Sequence, residues 1–186
     1  MVVGVQFHTE SSLAQGLHEL IKKLQIETQL TKPIKMILAG GMAVHLYTGT
    51  RVTTDVDAEF SHRLLLPENL LVETTDGKML YLDSNYNSTF ALMHENYLAD
   101  AIKVPLGTDL IALYVLSPVD LVLSKLARFD GPDVQDIREI VTLSGISGEQ
   151  IRNRAEEALV VCVGNLERIR TNLVIVMQMV RELQTD

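Results

Sequence analysis

Two apolar periods alternate along the first half of the chain, and one of them takes over in the second. Leu13, Leu17, Leu20, Ile21 and Leu24 recur at i, i+4, i+7, i+8 and i+11, one face of an amphipathic helix. Thr9 stands where an N-cap belongs, and Thr31, Lys32 and Pro33 break the helix. Residues 34–39 form a short continuous apolar run with the length of a buried strand, and Gly40 and Gly41 follow at once. Residues 42–47 return to helical spacing, and 52–60 read as a second strand. The pattern then predicts a loop leading to a short helix over 61–69, a turn at Asp76 and Gly77, and a strand over 78–83. Residues 88–97 fit neither period. Residues 101–104 and 110–116 predict a hairpin around a turn at 106–109.

From Ser117 onward the spacing is helical. Ser117 is a natural N-cap, Pro118 suits the first helical position, and Asp120 completes a capping pattern. That helix is expected to reach about residue 129. Asp130, Gly131 and Pro132 interrupt it, a second helix covers 133–143, and Ser144 and Gly145 close that one. Residues 148–183 keep spacings of three and four with one irregularity at Gly164 and Asn165. A single helix of that length would run roughly 50 Å, so two helices broken at Gly164 are expected. Residues 173–180 are apolar nearly all round and are expected to be buried. The fold class is therefore α/β in the α+β sense, a small mixed twisted sheet flanked by helices. The core spans 1–116, and a helical C-terminal part spans 117–186.

Composition narrows this only slightly. A chain of 186 residues, 47% apolar and 22% charged, suits one globular domain or a small domain with a helical extension. Residues 1–5 are apolar but short, with no basic stretch before them, so no secretory leader is expected. The run at 173–177 is too short to span a bilayer, so no membrane partner is expected. Cys162 is the single cysteine, which points to a reducing cytoplasm and a small core residue rather than a nucleophile. The formal net charge of −8 argues against broad capture of a nucleic-acid backbone.

The second strand carries the chemistry. Side chains on a strand alternate faces, so Asp55 and Asp57 point the same way. Two neighbouring carboxylates repel, and a divalent cation relieves the repulsion; hard oxygen ligands suit Mg²⁺. Upstream, with thirteen residues between Gly41 and Asp55, Gly40 and Gly41 sit where a strand enters a helix. Glycine lets the backbone approach a ligand, and the N–H groups of a first helical turn form an anion site suited to phosphate. Arg51 and Thr53 lie just ahead of the acid pair, where either could orient it or touch a nucleotide, or simply be a solvated arginine and a strand-forming threonine. His45, His62 and His94 show no metal-ligand spacing and read as ordinary polar residues.

Gly40 and Gly41, a short helix, then Arg51, Thr53, Asp55 and Asp57 resemble the signature of the polymerase-β-type nucleotidyltransferases. More narrowly they resemble the bacterial AbiEii/MenT-type group and its small relatives of unknown function. Lys125 and Arg128, a short break, and Asp133 and Asp136 resemble the second half of the same signature. The likeness covers roughly residues 34–143. It departs at Pro132, where some relatives carry a basic residue. It implies a nucleotidyltransferase fold and one or two Mg²⁺ ions on Asp55 and Asp57. It implies an NTP substrate near Gly40, Gly41, Lys125 and Arg128, and an important later aspartate at Asp133 or Asp136. The family also calls for a third carboxylate; Asp83 is the first choice and Asp100 the second. On the residues alone, the partner of Lys125 is either a triphosphate or one of these two aspartates.

The resemblance further implies transfer of NMP to a hydroxyl on a tRNA end or a protein, in a toxin–antitoxin or phage-defence setting, with a cognate antitoxin or partner protein. Two other readings stand beside it: a catalytically silent fold used as a binding or antitoxin-like module, and a small-molecule nucleotidyltransferase. The C-terminal helices could also serve as the seam of a homodimer.

Overall fold

The computed structural model describes residues 6–184, and the short apolar stretch at 1–5 lies outside them. The chain divides into two compact units, Met1–Tyr86 with Ala101–Val115, and Asn87–Asp100 with Leu116–Asp186.

The first unit contains the sheets. Helix α1 (Ser12–Glu27) buries Leu13, Leu17, Leu20, Ile21 and Leu24, the face its spacing predicts. Its cap is Ser11, whose hydroxyl accepts from the Ala14 N–H at 3.1 Å; Thr9 instead donates to Glu10. Strand β1 (Ile34–Leu38) is buried at every position but one and leads directly into α2 (Gly40–Thr48), which ends at Gly49 in the left-handed region.

The strand expected over 52–60 is two strands. β2 (Asp55–Val56) pairs in parallel with β5 (Met79–Leu82), and β3 (Ala58–Phe60) pairs antiparallel with β1. The chain changes partner across Asp57. Just before it, the Val56 carbonyl accepts from the Asp83 N–H, and at it the Asp57 carbonyl accepts from the Ala39 N–H. Residues 61–69 hold no helix. They run as a loop into β4 (Leu71–Glu73), an edge strand antiparallel to β5 that the spacing did not reveal. Strands β6 (Ile102–Lys103) and β7 (Ile111–Val115) form the expected hairpin, and β7 lies parallel to β1. One sheet therefore has the order β3-β1-β7-β6 and the other β2-β5-β4, both mixed in direction.

The second unit is helical. Helix α3 (Pro118–Ser124) is capped by the Ser117 hydroxyl on the Asp120 N–H. It stops short of residue 129: Lys125 is its C-cap, and residues 125–128 form a turn that ends at Phe129, whose φ is +55°. Helix α4 (Gly131–Ser144) opens with a reciprocal capping box between Asp130 and Asp133 and closes at Gly145. Helices α5 (Gly148–Val161) and α6 (Leu166–Leu183) are separate, broken where Gly164 predicts. The apolar run in α6 is not wholly buried. Leu173, Val176, Met179 and Val180 face inward, but Val174 is 67% exposed and Ile175 47%. Among the described residues, no helix is long and apolar enough to cross a membrane.

Candidate functional site

The site of the sheet unit is built from four short segments. β1 delivers the chain to Ala39, the cap residue of α2. Gly40 follows with φ +58°, a conformation that L side chains rarely adopt. Glycine has a second reason to stand here. A Cβ at Gly40 would stand 1.9 Å from Asp57 Oδ2, and one at Gly41 would stand 3.0 Å from Thr53 Oγ1. The two glycines therefore make the room in which Asp57 and Thr53 sit against the first turn of α2. A carboxylate is well placed there, because the N-terminal end of a helix carries partial positive charge.

The ladder fixes the rest. β2 and β5 run parallel with Asp55 beside Tyr81 and Val56 beside Leu82. Just past the ladder, the Asp83 N–H donates to the Val56 carbonyl at 3.0 Å, which sets Asp83 beside the end of β2. Alternation along β5 sends Tyr81 and Asp83 to one face. Asp55, Asp57 and Asp83 thus form an acid patch around Tyr81, each near enough for its charge to act on the phenol. Neutral groups hold two of its carboxylates in place: the Thr53 hydroxyl donates to Asp55, and the Asn85 N–H donates to Asp83 Oδ1 at 2.8 Å. The charge of Asp55, then partial burial, then the charges of Asp83 and Asp57 push the Tyr81 phenol above its ordinary pKa. The phenol thus senses all three acids at once.

A buried histidine positions the segment that carries the patch. The His45 ring on α2 donates from Nδ1 to the Arg51 carbonyl at 2.7 Å and accepts at Nε2 from the Ser11 hydroxyl at 2.7 Å. Arg51 itself donates through Nη1 to the Val52 carbonyl at 3.1 Å.

The helical unit brings the other four sequence candidates together. Lys125 Nζ lies 2.7 Å from Asp136 Oδ2 and 3.3 Å from Asp133 Oδ1. Arg128 donates through Nε and Nη2 to both oxygens of Asp133, at 2.8 Å each. Burial pushes the Asp133 carboxyl up, but the Arg128 hydrogen bond, the charges of Lys125 and Arg128, and the Asp130 N–H outweigh it and hold it below the ordinary range. Lys125 is only 5% exposed, whereas the Arg128 side chain is 69% exposed. Asp100 lies in this unit too, ion-paired with Arg154 at 2.7 Å.

Gly40, Gly41, Thr53, Asp55, Asp57 and Asp83 thus converge in one unit, with Arg51 on the approach, and Lys125, Arg128, Asp133 and Asp136 converge in the other. Sequence reasoning missed Tyr81 and the organising role of His45. Period-two alternation from Asp83 would have found Tyr81; His45 carries no sequence signal, because its partners are a hydroxyl and a backbone carbonyl.

Among the described residues, no group of three or more His, Cys, Asp or Glu side chains is placed where it could hold a metal ion, so the acids on offer are the pair Asp55 and Asp57. The donor set nonetheless suits Mg²⁺, which takes one or two carboxylates, retains water and completes its shell with substrate phosphates.

A Gly-Gly turn from a strand into a short helix, with an Asp-x-Asp segment seated against it on a mixed sheet, has the form of a nucleotidyltransferase fold. The family described as nucleotidyltransferase of unknown function (DUF6036) matches residues 15–183, and the chain belongs to it. No curated protein matches the chain.

Proposed function

We propose that the protein is a Mg²⁺-dependent nucleotidyltransferase that moves NMP from an NTP to a hydroxyl acceptor. The observation that carries this reading is the placement of Asp55, Asp57 and Asp83 on one patch beside the positive-φ glycine. Asp55 and Asp57 would hold the cation, with Thr53 orienting Asp55. When bound, the cation would neutralise phosphate charge and make the α-phosphorus easier to attack. Asp57 already fills the space over Gly40, so a triphosphate would approach the first turn of α2 with the cation between its phosphates and that carboxylate. Asp83 takes the proton from the acceptor hydroxyl. The acceptor oxygen then bonds to the α-phosphorus as the bond to pyrophosphate breaks. In the helical unit Lys125 is enclosed by Asp133 and Asp136, and Arg128 is the exposed cation of that cluster.

The acceptor is a tRNA end or a protein side chain, in a bacterial, cytoplasmic toxin–antitoxin or defence role of the kind found in the AbiEii/MenT-type group. The surplus acidic charge favours the protein acceptor. A second reading, a silent fold used as a binding module, draws support from Asp57 filling the space over Gly40.

Melting curves with each NTP, with and without Mg²⁺, separate the two. A ligand that binds only the folded state raises the melting temperature. The enzyme reading expects one NTP to stabilise the wild type only with Mg²⁺, and the Asp55→Ala/Asp57→Ala variant to lose the effect. No shift with any NTP, together with a variant that melts higher than wild type, would leave the silent reading.

A further inference from the structure

A groove of about 390 Å³ runs between α5 and α6, within the helical unit and apart from the Lys125 cluster in its lining. Its apolar part is Leu173, Val174 and Met177, and its rim carries Arg152 from α5 with Arg170 and Arg181 from α6. Gln178 and a single acid, Glu156, complete the lining. Every basic residue from 148 to 183 is an arginine, in a chain that carries seven lysines elsewhere. Arg154 holds Asp120 and Asp100, and Arg168 donates to the Arg128 carbonyl. Arg152, Arg170 and Arg181 line the groove.

We propose that this groove is a docking site for an acidic amphipathic helix of a partner protein. Three features select that occupant. Arg170, Val174, Met177, Gln178 and Arg181 follow helical spacing along one face of α6, and the two terminal arginines lie roughly 16 Å apart along the axis. That span matches about three turns of a partner helix laid in the groove, read through apolar anchors at i, i+3 or i+4, and i+7. The apolar strip takes those anchors, and Val174, 67% exposed, is the contact that an occupant would cover. The guanidinium rim takes carboxylates on both flanks of the partner helix, since arginine binds carboxylate in a two-point fork where lysine offers a point charge.

The same features disfavour other occupants. A second copy meeting through this face would bring three arginines and one glutamate against the same set, because a two-fold interface is self-complementary. Single-stranded RNA needs stacking platforms along a basic track, and no aromatic side chain lines the groove.

The test uses the full chain and a fluorescent synthetic peptide of about three helical turns, with leucines on one face and glutamates on its flanks. A scrambled peptide of the same composition and an oligouridylate are the controls. The expected result is saturable binding of the patterned peptide, weakened about tenfold or more in an R170E/R181E variant, with the scrambled peptide binding no better than that variant. Both positions are exposed, and an unchanged melting temperature in the variant confirms that its fold is intact. Equal binding of the two peptides, tighter binding of oligouridylate through the same arginines, or a dimer in sedimentation that the variant abolishes would each overturn the proposal. So would failure of the patterned peptide to bind.

Discussion

In the helical unit, Asp120 is wholly buried, and two nitrogens of Arg154 reach its two oxygens at 2.8 Å each. Asp133 and Asp136 are buried as well, enclosed by Lys125 and Arg128. In the sheet unit, Asp55, Asp57 and Asp83 all sit half-exposed, with a hydroxyl steadying Asp55 and a backbone N–H steadying Asp83. Burial of a charge is tolerated when an opposite charge and good hydrogen bonds come with it. Carboxylates gathered on an accessible face have no such stabilising logic within the fold, and their arrangement makes sense through something they bind. The contrast separates acids that hold the protein together from acids that the proposed function puts to use.

Removing Lys125 gives the largest expected effect. Lys125→Ala leaves two buried aspartates short of a cation and should cost about 3–5 kcal/mol in urea unfolding. Asp55→Asn, which keeps a hydrogen-bonding oxygen for Thr53, should change stability by less than about 0.5 kcal/mol in Mg²⁺-free buffer, or raise it. If Asp55→Asn costs as much as Lys125→Ala, the acid patch is structural and the contrast collapses.

Gly40→Ala acts on the other side of the comparison. It places a Cβ into the space of the Asp57 carboxylate and forces alanine to a φ of +58°. The expected loss is about 1–3 kcal/mol of stability, with disappearance of any Mg²⁺-dependent shift by NTP. Retention of that shift would mean that the cradle is not where the nucleotide enters.

The sequence showed these two groups of acids with unequal clarity. Helix α1, strand β1, the Gly40 turn, the β6–β7 hairpin and the break at Gly164 were all legible, because each is set by local spacing or by a glycine or proline. The split of the second strand at Asp57 was not. It arises because residues 55–56 and 58–60 pair with strands distant in the chain, which no local pattern encodes. Strand β4 was hidden for a related reason: it is three residues long at a sheet edge, with Leu71 41% exposed, so it lacks a buried face to read. For the site, the Asp-x-Asp pair and the Lys125 group were readable as residues. That Gly40 is emptied for Asp57, and that Lys125 faces aspartates rather than open space, needed the fold.

Acid affects the two units differently. Burial holds His45 below the ordinary histidine pKa of 6.5, against the pull of the Arg51 carbonyl. As pH falls through about 6.5 the unfolded chain therefore takes up a proton that the folded one refuses, and stability declines; above that range this histidine has no effect. Asp133 works in the other window. Its carboxyl lies below the ordinary 3.8, so its contribution persists until the pH falls through its own lower value. Amide exchange, corrected for its intrinsic pH dependence, should show residues 51–57 losing protection between pH 7.5 and 5.5 while α4 keeps its own. In His45→Gln that difference between the two pH values should vanish. Equal loss in both regions would show that His45 does not govern the acid-bearing segment.

The smallest effect is the most direct view of the acid patch. Tyr81 is 45% exposed, so its phenol titrates freely, yet the negative charge of Asp55 and its neighbours holds that titration above the ordinary 10.0. Subtracting the ultraviolet titration of Tyr81→Phe from that of wild type isolates this one phenol among five tyrosines. Asp55→Asn removes the largest contribution and should lower the Tyr81 pKa, and Asp83→Asn should lower it less. Lys125→Met should leave it where it is, because the charges that Lys125 balances belong to its own cluster. A Tyr81 phenol unmoved by Asp55→Asn would mean that the four side chains do not share one face. The acids would then not gather around Tyr81, and the proposed function would lose its third carboxylate.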